Sequence, residues 1–584
     1  MILSAGRIHA AIADAAHPDF DLTEVPFPSK FKTMGISFLK DGRMVLSVTD
    51  FVGGGQVEAA KSAAVKVYLV SGYDGTAAAS VKMEEISNTW YQLVGLVVAE
   101  EKVYVSDRDG FYQILQLAAN AAPAQNRKLI VKWPDENTWN TTFQWHQFVF
   151  TPIYNKGFFY APYSGSIRGG GPSDANPTSH MSGGFLKWDL ATAKLEAIAG
   201  GFRSPNGANL DSATGEMFVA DNQGSWLPSS TFARILPGKF YGHRQVPQTL
   251  NSAGAVTATH PPNWAEGLPY DPPVAWLPHG DVRASPSQPV RIRSGKYAGD
   301  WLMGDVNNPG LIRVGLDKVG DGYNGAVFFF SKGTKNSAIN RLAWGPDGAL
   351  YMGTLSTISG NWPNGNDNAF YRLAPKPAAT AFEMKAVRSL SDGLELEFTQ
   401  PVNPAAAAAD FSAEQWQYIR QPGYGEGRQP TQRLTVAGAE ISADGLRVHL
   451  KIAGLIPDRV VHVKHAGLAS AAGKTAWNDE TWFTHNYIST RSWSAATAVR
   501  ESGRTGATSA GALKVRNTIR GILSAAIEAE GPWQAVLTAP DGTVLARASG
   551  IGASEITLRH APVTGVGILS VRFAGGVLAR KVCF

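Results

Sequence analysis

The stretch FRSPNGANLDSATGEMFVADNQGSW, Phe202 to Trp226, reads as a β-hairpin, with the apolar runs ANL and MFVA on either side of the turn DSATGE. The outer ends of a hairpin's two strands lie on the same side of their sheet. Arg203 and Asn206, which lead into the first strand, are therefore brought beside Asp221 to Gly224, which leave the second. Guanidinium, amide and carboxylate groups meet there by topology alone.

The same unit, an apolar strand, a turn of the Asp-Gly kind and a second strand ending near Asp or Gly, occurs six times. The other copies are MGISFLKDGRMVLSVTD from Met34, VGLVVAEEKVYVSDRDG from Val94, FVFTPIYNKGFFYAPYSG from Phe148, RIRSGKYAGDWLMGDVNN from Arg291 and NRLAWGPDGALYMGTLS from Asn340. Apart from one gap lengthened by the insertion Leu227–Trp276, the copies recur at about 50 to 60 residues, the period of four-stranded propeller blades. The pattern predicts an all-β fold whose main part, residues 20–375, is a six-bladed β-propeller.

The rest of the chain reads as smaller β-domains. APKPAATAFEM after Arg372 has the composition of a linker, and the alternating strands that follow predict an Ig-like β-sandwich over 378–488. Residues 489–511, rich in Ser, Thr, Arg, Ala and Gly, read as a flexible linker. A small C-terminal β-sandwich is expected over 512–584.

At 584 residues the chain is too long for one core. Its 44% hydrophobic content with 62 Gly and 34 Pro is that of a turn-rich globular protein. A net charge of +5 comes from scattered Lys and Arg, not from a basic stripe, which argues against nucleic acid as a partner. Cys583 is the only cysteine, so no intrachain disulfide forms. No signal-peptide core is visible in the first twenty residues, and no stretch is apolar enough to span a membrane. Phosphate loops, zinc spacings and GxSxG elbows are absent.

The hairpin argument, applied to every copy, places a ring of polar residues at one mouth of the propeller: His146, Arg203 with Asn206, Gln288 and Asn340 with Arg341 lead in, and Asp107, Tyr163, Asp221, Asp305 and Thr354 lead out. His146 is the expected proton acceptor, since an imidazole titrates near neutrality. Arg203 and Arg341 could fix carboxylates of a quinone cofactor or stabilise an oxyanion. Asp221, Asn222 and Asp305 are oxygen ligands of the kind Ca²⁺ prefers, although no contiguous calcium loop is present. Tyr163, Trp226 and Trp362 offer stacking faces to a sugar, and His279 could reach the mouth from a loop.

The run GFRSPNGANLDSATGEMFVADNQGSWLPSS, with WLPHGDVRASPSQPV, WLMGDVNNPGLIRV and INRLAWGPDGALYMG, resembles the glucose/sorbosone dehydrogenase-like propellers, the soluble quinoprotein sugar dehydrogenases. The resemblance implies pyrroloquinoline quinone (PQQ) over the channel mouth, calcium beside it and a histidine taking the hydroxyl proton. By position His146 matches the base, and Arg203 and Asn206 match cofactor and substrate contacts; Asn340, Arg341 and Gln288 are grouped with the cofactor. Trp145 and Gln147 flank His146 where the family carries an acidic neighbour. GTVLARASG and GILSVRFAGGVLARKVCF resemble C-terminal sorting domains of type IX secretion cargo, which implies an extracellular or cell-surface protein and the secretion machinery as partner. The expectation is an oxidoreductase acting on a sugar or small polyol with PQQ. Its alternatives are a non-catalytic carbohydrate-binding or adhesion propeller and a polysaccharide-degrading enzyme on the same scaffold.

Overall fold

The computed structural model describes residues 17–495 and 511–583, apart from the segments 50–64, 75–79, 91–92, 119–122, 135–147, 166–180, 245–247, 251–255, 260–267, 332–338, 356–368, 379–380, 407, 520–521, 530–531, 540–542, 552–553, 560–565 and 574–575. The described residues form strands and turns with two short 3₁₀ turns and no α-helix, so no helix is long and apolar enough to cross a membrane. The chain divides into two compact units, Met1–Thr497 and Ala498–Phe584.

In the first unit, six antiparallel sheets lie in chain order. Their innermost strands are Lys32–Phe38, Gly95–Ala99, Ile153–Asn155, Pro205–Leu210, Val290–Arg291 and Ile339–Trp344. Each lies against the next and the last lies against the first, which closes a six-bladed propeller. The approach is close enough to demand small residues. A Cβ on Gly353 would come within 2.3 Å of Thr33 in the adjoining blade, and one on Gly95 within 2.7 Å of Pro152. The ring is clasped by its start, because Phe20–Glu24 pairs with Phe370–Pro375 as the outer strand of the sixth blade.

The fifth blade does not end at its fourth strand. Gly322–Phe329 pairs onward with Glu480–His485, in the register Gly325↔Thr484, Ala326↔Phe483 and Val327↔Trp482. The sheet then continues through Arg459–His465, Phe411–Trp416 and Gln432–Leu434, so eight strands run unbroken from propeller into sandwich. The sandwich's second sheet holds Met384–Leu390, Gly393–Phe398, Arg447–Ile452 and Val436–Ile441. Its core takes Ala326 and Phe328 from the propeller alongside Leu394, Leu396, Leu450 and Phe483. A second shared core joins Phe218, Trp276 and Trp301 to Trp416, Val460 and Trp482. Burial of this apolar surface, at about 25 cal/mol per Å², holds the two parts together.

The linker expected from residue 489 begins later. Ser489 is buried, Arg491 pairs with Asp317 of the fifth blade, and Ala443 N–H donates to the Ala495 carbonyl at 2.8 Å. In the second unit, a sheet of Gly511–Ile519, Ile522–Ala529 and Ser554–Arg559 and a sheet of Val544–Ile551, Pro532–Thr538, Val566–Phe573 and Gly576–Cys583 share a core of Leu523, Ile527, Trp533, Leu537, Leu569 and Val571.

Candidate functional site

The strand pairing sets the ring of residues at one mouth. Gly95 faces Ser106, Pro205 faces Asp221, Pro286 bridges to Asp305 and Ile339 faces Thr354, so the residues around each pair share that end of the propeller. Asp107, Asp221 and Asp305 recur at the end of the second strand for a local reason. Asp221 accepts the backbone N–H groups of Arg203 (2.8 Å), Ser204 (2.7 Å) and Asn222 (2.9 Å). Asp305 accepts those of Ala284, Ser285, Asn307 and Asn308 at 2.7 to 2.9 Å. Asp107 holds the N–H groups of Asp109 and Gly110 on Oδ1. These are turn clasps that satisfy buried donors.

Burial gives two of the clasps unusual acidity. Desolvation pushes the Asp107 carboxyl up to about 7 and Asp221 up to about 6, against the lowering effect of their backbone donors. The expected calcium ligands are partly engaged: each carboxylate oxygen of Asp221 and Asp305 accepts a backbone N–H and the Asn222 side-chain nitrogen donates to Ser285 Oγ at 3.0 Å, while Asn222 Oδ1 is buried without a partner. Among the described residues, the one group of three His, Asp or Glu side chains close enough to share an ion is His17, Asp19 and Glu383, elsewhere in the unit.

Arg341, Asn340 and Asn206 come together, as the hairpin argument expects, but they bind one another. The buried Arg341 guanidinium donates from Nε to the Met34 carbonyl (2.9 Å), from Nη2 to the Val94 carbonyl (3.0 Å), and from Nη1 to the side-chain oxygens of Asn206 (2.9 Å) and Asn340 (2.8 Å). Asn340 donates to the Thr33 carbonyl at 2.8 Å. Among the described residues no carboxylate pairs with it, and desolvation lowers the Arg341 pKa to about 9. This hub joins blades one, two, four and six, and its donors face protein rather than ligand. Arg341→Met is expected to cost about 3 kcal/mol or more, because the carbonyls it served stay buried without donors. A denaturant titration reads this, and an unchanged midpoint would refute the hub.

Arg283 is the opposite case. It is buried beside Asp305, its pKa is lowered by desolvation to about 10, and its Nε and Nη2 have no hydrogen-bond partner. Sequence reading passed over it because nothing in DVRASPSQP marks one arginine as buried. His243 was also missed. Its Nδ1 lies 3.0 Å from the Ser225 carbonyl and burial drops its pKa to about 4, so it is a neutral packing group.

Arg203 is buried with its guanidinium carbon 5.1 Å from the centre of the Tyr424 ring. Tyr424 belongs to the sandwich. The loop that follows Phe411–Trp416 lies on the DNQGSW segment: Ser225 and Tyr424 form a β-bridge, Trp226 N–H donates to the Gln421 carbonyl (2.8 Å), and Arg428 pairs with Asp281 at 2.8 Å. The close approach needs Gly224, where a Cβ would fall 1.8 Å from Arg203 Nε.

The remaining predicted residues divide. Trp226 is half-buried at this junction with φ of 65°, and Gln288 is buried against Gly207. Tyr163 is 1% exposed within the core of blades two and three, so it presents no stacking face, and His279 is exposed on a surface turn. His146 and Trp362 lie outside the described residues.

No known family model and no curated protein matches the chain. Among solved structures it is similar to a glucose dehydrogenase (15% identity, TM-score 0.40, covering 62% of this chain and 100% of that one). It is similar also to the PQQ-bound aldose sugar dehydrogenase of Streptomyces coelicolor (14%, TM-score 0.40, 62% and 99%) and to a luciferin-regenerating enzyme (11%, TM-score 0.37, 62% and 98%). The neighbours include sugar dehydrogenase propellers. At such scores the assignment of this fold rests on the strand pairing itself, and nothing about activity follows from the likeness.

Proposed function

We propose that the chain is an oxidoreductase that oxidises a hydroxyl group of a sugar or related alcohol at this mouth, with PQQ as its cofactor. The observation that carries the reading is the buried carboxyl of Asp107, held near pKa 7 on the same face as the buried guanidinium groups of Arg203 and Arg283. A base whose pKa lies near the working pH and a preorganised positive field are what alcohol oxidation asks of a protein. The unpartnered Nε and Nη2 of Arg283 fit a cofactor carboxylate, whereas Arg341, Asn340 and Asn206 do not. Arg283 would hold that carboxylate, with Gln288 nearby on the segment leading into the fifth blade. PQQ, when bound, supplies a two-electron acceptor. With Oδ1 engaged by two N–H groups, Asp107 takes the hydroxyl proton at Oδ2; His146, outside the described residues, is the other candidate for that proton. We further propose export to the cell surface through the C-terminal unit, acting as a type IX sorting domain.

The test is a titration of the full chain with PQQ, with and without calcium, followed by dye reduction with sugars. Saturable uptake is expected, and the two arms read whether it needs calcium, for which Asn222 Oδ1 is the buried oxygen left without a partner. Turnover is expected to rise with pH through about 7 as Asp107 loses its proton, and Asp107→Asn should flatten that rise and cut the rate about 100-fold. No uptake under either condition would overturn the reading. The second reading, a carbohydrate-binding propeller without catalysis, is favoured by the saturated Arg341 hub, and it predicts glycan retention with no quinone uptake.

A further inference from the structure

The sandwich loop and the fourth blade meet in a strip of aromatic and guanidinium side chains. Tyr424 is 49% exposed and Tyr270 39%, and with Ile419 they are among the few large apolar side chains left open to solvent. Three aromatic rings in the strip each carry a guanidinium: Arg203 on Tyr424 (5.1 Å), Arg420 on Tyr270 (3.6 Å) and Arg244 on Trp226 (5.1 Å). The three pairs are contiguous. Arg420 and Gln421 adjoin in the chain, Gln421 accepts from Trp226 N–H, and Arg420 packs over Gly242, two residues before Arg244.

The charge of the strip is not balanced within it. Arg420 donates to the Tyr270 hydroxyl, its Nε has no partner, and burial lowers its pKa with no carboxylate to oppose the effect. Neither Arg420 nor Arg244 forms an ion pair among the described residues. Of the nearby acids, Asp281 pairs with Arg428, Asp271 with Lys239 and Glu426 folds back over Gly423, while the exposed Asp458 acts on Tyr270 rather than pairing with either arginine. What remains is two exposed tyrosine rings, Tyr424 and Tyr270, each with a guanidinium on one face, and beside them two guanidinium groups, Arg420 and Arg244, without an ion pair among the described residues. Aromatic faces accept the C–H face of a pyranose, and a guanidinium fork accepts a carboxylate through two parallel hydrogen bonds.

We propose that this strip binds a carboxylated saccharide, a chain of uronate sugars, and that the sandwich loop makes the protein selective for it over neutral glycans. The inference rests on reading this face as the carbohydrate-facing one. It assigns the sandwich a part in recognition, since Tyr424 and Arg420 come from the sandwich and Tyr270, Trp226 and Arg244 from the propeller.

The test uses the full chain and isothermal titration with trigalacturonate and with maltotriose, at about 0.02 M and about 0.5 M salt. The uronate trimer is expected to bind at least about tenfold more tightly than the neutral one, and salt should weaken it. Arg420→Gln should abolish most of that preference. Tyr424→Ala, at a half-exposed position, should weaken both trimers about tenfold and keeps the test open where Arg420→Gln lowers the melting temperature. Equal binding of the two trimers, or wild-type binding by both variants, would overturn the proposal. Uronate binding without quinone uptake would sink the dehydrogenase and leave this site standing; quinone uptake with no uronate preference would do the reverse.

Discussion

A fragment ending at residue 377, the propeller as its repeats define it, is expected to fail to fold, while a fragment ending at residue 497 melts as one cooperative unit. The cut at 377 strips the partner from Gly322–Phe329, leaving an eight-residue edge strand with unpaired N–H and C=O groups. It also uncovers Val327, Phe328, Trp276 and Trp301, all buried against the sandwich. Each such side chain loses roughly 1.5 to 3 kcal/mol of burial, and four of them consume most of the roughly 5 to 15 kcal/mol that stabilises a typical domain. Polar ties go too. Arg313 loses the carbonyls of Met384 (2.9 Å) and Lys385 (2.7 Å), and Trp276 N–H loses the Thr484 hydroxyl at 2.8 Å. Soluble yield and thermal melting of the two fragments decide the matter. A 377-residue fragment melting within a few degrees of the longer one would show that the shared sheet is not needed.

The same interface explains what sequence reading reached and what it missed. Six copies of one hairpin locate the inner strands, because alternation and turn residues are local and the blade is a local unit. The mouth was legible for the same reason: strand ends follow from strands, and Asp107, Asp221 and Asp305 do stand there. The use made of those carboxylates was not legible. A clasp on backbone N–H groups and a metal ligand require the same residue type, and only the geometry of the loops separates them. The association of Arg341 with Asn206 and Asn340 follows from the ring, but the carbonyls of Met34 and Val94 that fill its fork come from blades one and two, across the propeller in sequence. APKPAATAFEM has a linker's composition, yet Ala381 is buried and Phe382 and Met384 belong to the shared core. RQPGYGEGRQP carries the signs of a loop and nothing that says it rests on the propeller mouth. Tyr163 failed as a stacking residue because exposure is a property of the neighbouring blade, not of the strand that carries it.

Glu383→Ala is expected to be the most damaging single substitution in the first unit, at about 3 to 5 kcal/mol. Glu383 is fully buried and accepts from His17 Nε2 (2.8 Å), from the Tyr297 hydroxyl and, on its other oxygen, from Asn478 (3.0 Å); Lys296 stands 3.9 Å away and also pairs with Asp19. His17 stacks on Phe330 with ring centres 4.4 Å apart and accepts the Asp19 N–H at Nδ1 (3.2 Å), which leaves its proton on Nε2 facing the carboxylate. One carboxylate thus fastens the segment that clasps the ring, the fifth blade and the sandwich. Removing it leaves three buried donors with no acceptor, while Lys296 keeps Asp19. Burial raises the Glu383 pKa, but the hydrogen bond from His17, with Arg313 and Tyr297, outweighs it and holds the group below its ordinary value. A carboxylate more acidic when folded contributes stability above the unfolded pKa, and that contribution disappears as the pH falls through the folded one. Wild type should therefore lose stability on acidification below about pH 4.5, whereas Glu383→Gln, destabilised at neutral pH, should lose less over the same interval. Urea titrations of both proteins at pH 7 and at pH 4 measure the difference directly. Equal losses would place the acid sensitivity elsewhere, and a neutral effect of Glu383→Ala at pH 7 would show that the junction holds without this carboxylate.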